Sequence, residues 1–128
     1  MNLLGRLLAA LAVFTIAALA HAQGLTVTAV TVDGQPARSL TGVQIRMPGA
    51  NAAQAQTLSA NDTIASGTEI TLPRGARVEL TSSNGNRITL YPGARFRAGT
   101  VSGSGESHHP LSGRIEFDVR KALDFFNV

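Results

Sequence analysis

Four arginines in one short segment are the residues of this 128-residue sequence best suited to binding chemistry. A guanidinium group presents its N–H donors as a planar fork that matches the oxygens of carboxylates and phosphates. A cluster of such groups therefore predicts a binding surface for an anionic ligand. The alternative interpretation is an ordinary solvated face in a protein with few lysines. The candidate binding residues are Arg74, Arg77, Arg95 and Arg97.

Two adjacent histidines, His108 and His109, are the other residues that could do chemistry, and Glu106 is the acidic residue beside them. Consecutive residues of a strand point to opposite faces, so we interpret both histidines as residues of a flexible loop and predict no metal site. A catalytic serine, histidine and acid set lacks its G-x-S-x-G elbow, and residues 99–105 lack the lysine and helix of a phosphate loop. We expect a protein that is not an enzyme and has no cofactor.

Composition and charge exclude several classes of protein. The chain has no cysteine, which excludes a disulfide framework, a thiol nucleophile and Cys-ligated metals. A hydrophobic fraction of 44% with 15% charged residues is typical of a folded domain, and the length allows one domain. The net charge of +3 is too small and too dispersed for a nucleic-acid-binding module.

The N-terminus has the pattern of a secretory signal peptide. Arg6 precedes residues 7–20, an uncharged run that is shorter than the roughly 20 residues of a membrane-spanning helix. Residues 20–22 match a cleavage site of the Ala-x-Ala type, so we predict removal of residues 1–22 and a mature domain of residues 23–128. The alternative is an uncleaved N-terminal anchor. The cleaved form would be periplasmic or secreted, with no membrane span.

The mature chain is a series of short strands and turns, which predicts a single all-β domain. Residues 25–32 alternate with a change of phase near Ala29 and Val30, which predicts a bulge. Further strands are predicted at 43–47, 69–72, 76–81, 87–91, 94–98, 111–120 and 125–128. Pro and Gly residues between the runs predict tight corners.

One eleven-residue pattern occurs twice, at 70–80 and again at 88–98, with six identical positions. Each copy has a strand, a Pro/Gly corner and a second strand with its apolar residues on one face. We expect the copies to lie side by side in a wound or solenoid-like β-sandwich or roll. A chance similarity within a repetitive β sequence is the alternative.

Side-by-side copies would bring defined residues together. On the inner face, Val78 and Phe96 are expected to be buried neighbours, with Gly75 and Gly93 at equivalent corners. On the outer face, two pairs would have opposite charges and the third would join two arginines, whose repulsion an anionic partner would relieve. These outer pairs are Glu69 with Arg87, Glu79 with Arg97, and Arg77 with Arg95.

Five segments of the chain follow a recognisable order. An entry strand with a small-residue turn precedes a strand ending in Glu-Leu, a hairpin turn with an apolar strand and Pro, a glycine before a long alternating strand, and an F-x-V strand. They are residues 61–67, 75–80, 84–92, 111–119 and 126–128. This order resembles a FecR-type domain over about residues 57–128.

The sequence departs from the family's pattern at two points. Asn84–Gly85 stands where the family has Asp-Gly, and Asn also tolerates the left-handed conformation of such a turn. The family's last strand is missing after Val128, so the domain is either incomplete or a minimal variant.

The resemblance implies an exported, free-standing binding module. The family is named for membrane-spanning proteins that relay the state of an outer-membrane receptor to a sigma factor. This sequence lacks the transmembrane helix after the signal and the cytoplasmic N-terminal region that those proteins use. A role in envelope signalling therefore stays open. We expect it to bind a protein partner through an open sheet edge or an anionic envelope polymer through its arginine face. The alternative is a self-associating structural β module, a homo-oligomer joined through an open sheet edge.

Overall fold

The computed structural model describes residues 24–120 and 125–127, the last three by backbone only. The predicted signal peptide and its cleavage site lie outside the described residues. Every regular element described is a β-strand, which confirms the all-β prediction. In chain order the strands are β1 Leu25–Val32, β2 Gln35–Ala37, β3 Ser39–Arg46, β4 Gln54–Ser59, β5 Thr63–Ile64, β6 Glu69–Thr71, β7 Ala76–Ser82, β8 Arg87–Leu90, β9 Arg95–Arg97, β10 Val101–Ser102, β11 Gly105–Ser107, β12 His109–Ser112, β13 Ile115–Asp118 and β14 Phe125–Asn127.

The strands form two main sheets and one small sheet. Sheet A has the order β13-β8-β7-β1-β2, with β5 also paired to β1, and sheet B has the order β12-β9-β6-β3-β4. Sheet C contains β10, β11 and β14, of which β14 runs parallel to β11. No helix that is long and apolar enough to cross a membrane occurs in the described part of the chain.

One apolar core is shared by sheets A and B. The residues that alternate inward along their strands are buried, as the two-residue strand period requires. They include Val27, Val78 and Leu80 of sheet A and Val43, Ile70 and Phe96 of sheet B. The predicted bulge is present, because the register of β1 against β7 shifts between Val27 and Ala29.

The two copies of the repeat do not stack side by side, so that prediction is wrong. The hairpin turn at Asn84–Gly85 reverses the chain, and the second copy therefore runs back antiparallel to the first. Strand β7 pairs with β8 in sheet A, whereas β6 pairs with β9 in sheet B. Val78 faces Leu90 and Phe96 faces Ile70, so Val78 and Phe96 are both buried but lie in different sheets.

The corners of the repeat are equivalent, as predicted. Gly75 has a φ of 79° and Gly93 a φ of 76°, a left-handed conformation that favours glycine. Each carries the chain from one sheet to the other, Gly75 from β6 to β7 and Gly93 from β8 to β9. The single long strand predicted at 111–120 is divided into β12 and β13 at a third such corner, Gly113, with a φ of 79°.

Candidate functional site

The four candidate arginines are divided between the two main sheets. Arg74 lies at the corner before β7 and Arg77 lies on β7 of sheet A, where its backbone partner is Thr31. Arg95 and Arg97 lie on β9 of sheet B, two residues apart on its outer side. A single face with four arginines therefore does not form, and Arg77 does not lie beside Arg95.

The predicted outer pairs are wrong because the copies are antiparallel. Glu69 is bound by Arg46 and Arg95 instead of Arg87. Glu79 has its ion pair with Arg87, at 3.8 Å, instead of with Arg97.

Glu69 is the centre of the charged cluster on sheet B. It lies on the central strand β6 and is only 6% exposed. Arg46 of β3 donates to its Oε2, and Arg95 of β9 donates from Nε to its Oε1 at 2.7 Å. The hydrogen bond from Arg46 is the main cause that lowers the pKa of Glu69; burial opposes it, and Arg95 adds to it. Arg97 is the register partner of Glu69 on β9, so a third arginine lies on this face beside the two that are ion-paired with the carboxylate.

Arg77 belongs to a different cluster, on the outer side of sheet A. The guanidinium of Arg114 lies 4.1 Å from the ring centre of Tyr91, and that of Arg77 lies 6.0 Å from it. Glu116 accepts hydrogen bonds from Tyr91 at 2.9 Å and from Arg114 at 2.6 Å. Cation–π contacts and one carboxylate thus hold this cluster together.

His108 is a core residue, which overturns its interpretation as part of a flexible loop. It is fully buried together with Glu106 of β11, whereas His109 is exposed. Its Nε2 lies 3.0 Å from Oε1 of Glu106, and its Nδ1 accepts the backbone N–H of Gly99 at 3.2 Å. Because Nδ1 is an acceptor, the proton lies on Nε2 and the ring is neutral.

The carboxylate of Glu106 is fully hydrogen-bonded. Its Oε2 accepts from Ser82 Oγ at 2.7 Å, from Asn84 Nδ2 at 3.0 Å and from Asn86 Nδ2 at 2.8 Å. Burial alone would raise the pKa of Glu106, but the hydrogen bonds from His108, Ser82 and the two asparagines together lower it. Ser82 donates to the carboxylate and not to the imidazole, so the geometry differs from that of a Ser–His–acid triad.

Metal ligation has no suitable cluster in the part of the chain that the structure describes. No three His, Asp or Glu residues there lie close enough together to hold an ion. His109, the exposed histidine, has Arg97 as its partner in the sheet.

Strand β4 is an outermost strand of sheet B, and sequence analysis missed it. Residues 54–57 are exposed, and no described strand pairs with the outer side of β4. Beside β4 lies a cleft of about 230 Å³ whose walls are mainly apolar. Ile45, Met47, Leu58 and Ile64 line it, and Met47 is 50% exposed at its rim.

Thr68 lines the same cleft and is 3% exposed. Its Oγ1 is buried without a hydrogen-bond partner among the described residues. Its backbone is fixed, since its N–H donates to Ala65 and its carbonyl accepts from Ala98. A buried hydroxyl without a partner is uncommon in folded proteins.

No protein-family model, curated protein or solved structure matches the chain. The similarity to FecR-type domains therefore stays a prediction from the pattern of residues 57–128. The geometry of the edge strand, the cleft and the two charged clusters is what bears on function.

Proposed function

We propose that this protein is an exported, non-enzymatic binding module of FecR type that recognises an extended segment of a protein partner. The segment adds as a further strand to the outer side of β4. Main-chain hydrogen bonds to the open edge supply affinity, and side-chain contacts beside the edge supply specificity.

The observation that carries this proposal is the difference between β4 and the other outermost strands. Sheet proteins protect their edges with proline, lysine and other charged residues. Strand β2 contains Pro36, β12 contains Pro110, and β13 carries Glu116 and Asp118. Strand β4 has the sequence Gln-Ala-Gln-Thr-Leu-Ser, with neither proline nor charge. Strand β5 also pairs on one side only and has neither, but it consists of two residues, Thr63–Ile64. Of the outermost strands described in sheets A and B, β4 is thus the longest one left open to pairing.

The charged cluster on sheet B supports a second candidate function. Arg46 and Arg95 are ion-paired with the single carboxylate of Glu69, and Arg97 is its register partner, which leaves an excess of positive charge on that face. An anionic envelope polymer would bind there through guanidinium forks. Arg74 and Arg77 would not contribute, because they lie on the sheet A side. Exposed ion pairs are weak, so this face ranks below the open edge.

The test uses a displayed library of random peptides, panned against the protein purified after expression of the complete chain. We expect enrichment of peptides with alternating apolar residues. Binding of these peptides should fall at least about tenfold in the double variant Ala53→Lys/Ala55→Lys, because lysines oppose strand addition. Ala55 lies in β4 and Ala53 lies directly before it. Both residues are exposed and lie outside the cleft lining, so folding should be unaffected.

The matched control places the same charge on the opposite edge of sheet B. Leu111→Lys/Ser112→Lys changes two exposed residues of β12 and should leave peptide binding unchanged. If no peptide is enriched, or if the β4 variant binds as well as the parent, the proposed function is wrong.

A further inference from the structure

The hairpin of β10 and β11, which we call the flap, consists of residues 101–107 and has the sequence Val-Ser-Gly-Ser-Gly-Glu-Ser. Val101 is its one apolar side chain and Glu106 its one charged side chain. The two are register partners, so they point to the same face, and both are buried. One valine supplies little apolar burial, so the attachment of the flap to the domain depends on polar contacts around Glu106.

The flap is bonded to the β7–β8 turn by side-chain hydrogen bonds. Asn84 donates to the backbone carbonyl of Ser102 at 2.7 Å. Three side chains of the turn donate to Oε2 of Glu106, at 2.7, 3.0 and 2.8 Å: Ser82, Asn84 and Asn86. A protonated carboxyl group would place its own O–H among these donors, so the attachment requires a charged carboxylate.

His108 closes the flap at its base. Its Nδ1 accepts the N–H of Gly99 at 3.2 Å, and its Nε2 donates to Oε1 of Glu106 at 3.0 Å. The two ends of the flap are closely packed here, since a Cβ at Gly99 would lie 1.4 Å from the carbonyl oxygen of Ser107. A charged imidazole has two donors and no acceptor, so its Nδ1–H would point at the N–H of Gly99. His108 therefore takes up a proton only when the flap leaves its closed position.

Few ionisable groups surround the ring of His108 among the described residues. Glu106 of β11 faces it, and His109 of β12 follows it in the chain. Strand β9 contributes the ring of Phe96, 5.9 Å away, and the turn residues that bind Glu106 do not titrate. Burial is the main cause that lowers the pKa of His108; Glu106 opposes it, and His109 adds to it. Acid therefore favours the state in which this ring meets water.

We propose that the flap is an acid-released element, which is closed over the β7–β8 turn at neutral pH and opens when His108 takes up a proton. Segments with few apolar contacts open at a lower free energy than the whole domain, so the core of sheets A and B stays folded. In the open flap the imidazole has its ordinary pKa of about 6.5. Each pH unit below this value therefore increases the open population about tenfold.

This inference goes beyond the proposed function and does not depend on it. The flap follows β9, which lies three strands away from β4 in sheet B. Strand addition at β4 and release of the flap thus concern different parts of the molecule, and either can be wrong without the other.

The first test measures thiol labelling of single-cysteine variants, because the chain has no cysteine of its own. Val101→Cys reports opening of the flap. Val43→Cys, at a buried position of β3, reports unfolding of the whole domain. Each labelling rate is divided by the rate of the same variant unfolded in urea at the same pH, which removes the pH dependence of the thiol itself.

The Val101→Cys variant should be labelled at least about tenfold faster than Val43→Cys, and its relative rate should rise about tenfold per pH unit between pH 6.5 and 5. Equal relative rates in the two variants would show that the flap opens only when the whole domain unfolds, which would overturn the proposal. A faster rate in Val101→Cys that does not change with pH would overturn it as well.

The second test assigns the pH dependence to one imidazole. His108→Gln, added to Val101→Cys, should abolish the rise in labelling below pH 6.5, because glutamine does not titrate. His109→Gln, at the exposed neighbouring position, is the matched control and should keep the rise. A rise that persists in His108→Gln, or that disappears in His109→Gln, would show that another group releases the flap and that the proposal is wrong.

Discussion

At the scale of single residues, the buried pair of Glu106 and His108 is the part of the molecule most sensitive to its surroundings. A carboxylate and a neutral imidazole that are buried in the core both require hydrogen-bond partners. Four side chains donate hydrogen bonds to the carboxylate of Glu106 here. The network joins the β7–β8 hairpin to strand β11. Its energetic role is to fix sheet C on the rest of the domain.

The pH dependence of stability follows from this pair. Burial is the main cause that lowers the pKa of His108, and Glu106 opposes it; the pKa of Glu106 is lowered as well. In both cases the unfolded chain binds more protons than the folded chain. The unfolding free energy should therefore decrease as the pH falls below about 6.5, by up to about 1.4 kcal/mol per pH unit for His108.

Urea unfolding between neutral and mildly acidic pH measures this dependence. His108→Gln should remove the part of the slope that begins near pH 6.5, whereas His109→Gln, at an exposed site, should retain it. A parent protein whose stability is flat over that range would contradict the neutral buried imidazole.

At the scale of elements, three of the six points where the chain passes between sheets A and B are glycine corners. Gly75, Gly93 and Gly113 all have a φ near 80°, yet their surroundings differ. A Cβ at Gly113 would lie 2.8 Å from Cα of Ala94, whereas one at Gly93 would meet open space. The corner at Gly113 therefore combines a backbone requirement with a close approach of two segments.

The pair of variants Gly93→Ala and Gly113→Ala separates these two contributions. Gly93→Ala should lower the unfolding free energy by about 1–2 kcal/mol, through left-handed backbone strain alone. Gly113→Ala should cost about 1–3 kcal/mol more, because β12 and β9 must move apart. Urea unfolding measures both, and equal losses would show that the contact with Ala94 relaxes freely.

Several elements could be predicted from the sequence because their signals are local. The β-branched alternation of residues 25–32 predicts β1, and Asn84–Gly85 predicts the β7–β8 turn. Strand β4 could not be predicted, since Gln54–Ala55–Gln56 has neither β-branched residues nor an apolar alternation. Its pairing with β3 comes from tertiary structure.

The pairing of the repeat and the burial of His108 depend on contacts that are distant in sequence. The same inward residues are buried whether the copies stack side by side or pair antiparallel, so periodicity could not distinguish the two arrangements. His108 follows a Gly- and Ser-rich segment that predicts a loop, but its place in the core requires Glu106 and the asparagines of the β7–β8 turn. Arg46 was missed as a partner of Glu69 for the same reason.

At the scale of the whole molecule, the open β4 edge could serve either a foreign segment or a second copy of this chain. The six residues of β4 span roughly 20 Å, and four of them are small or polar and exposed. Stable interfaces between proteins bury about 1,200–2,000 Å². Pairing of two β4 strands alone offers less than this. The inward side chains that a second β4 could direct towards the cleft are the polar Gln54 and Gln56, because its Leu58 is already buried in its own copy. A segment that also fills the cleft gains apolar burial that a second β4 strand does not supply.

We therefore expect the purified protein to be a monomer over a wide range of concentration. Light scattering measures the mass directly, and the mass should be the same in the parent and in Ala53→Lys/Ala55→Lys. A mass that rises with concentration in the parent but not in this variant would favour the structural alternative, in which β4 joins two copies. A rise in both would point to a surface other than β4. A constant monomer leaves the edge free for a partner, because the edge can accept a foreign strand only where it does not first pair with itself.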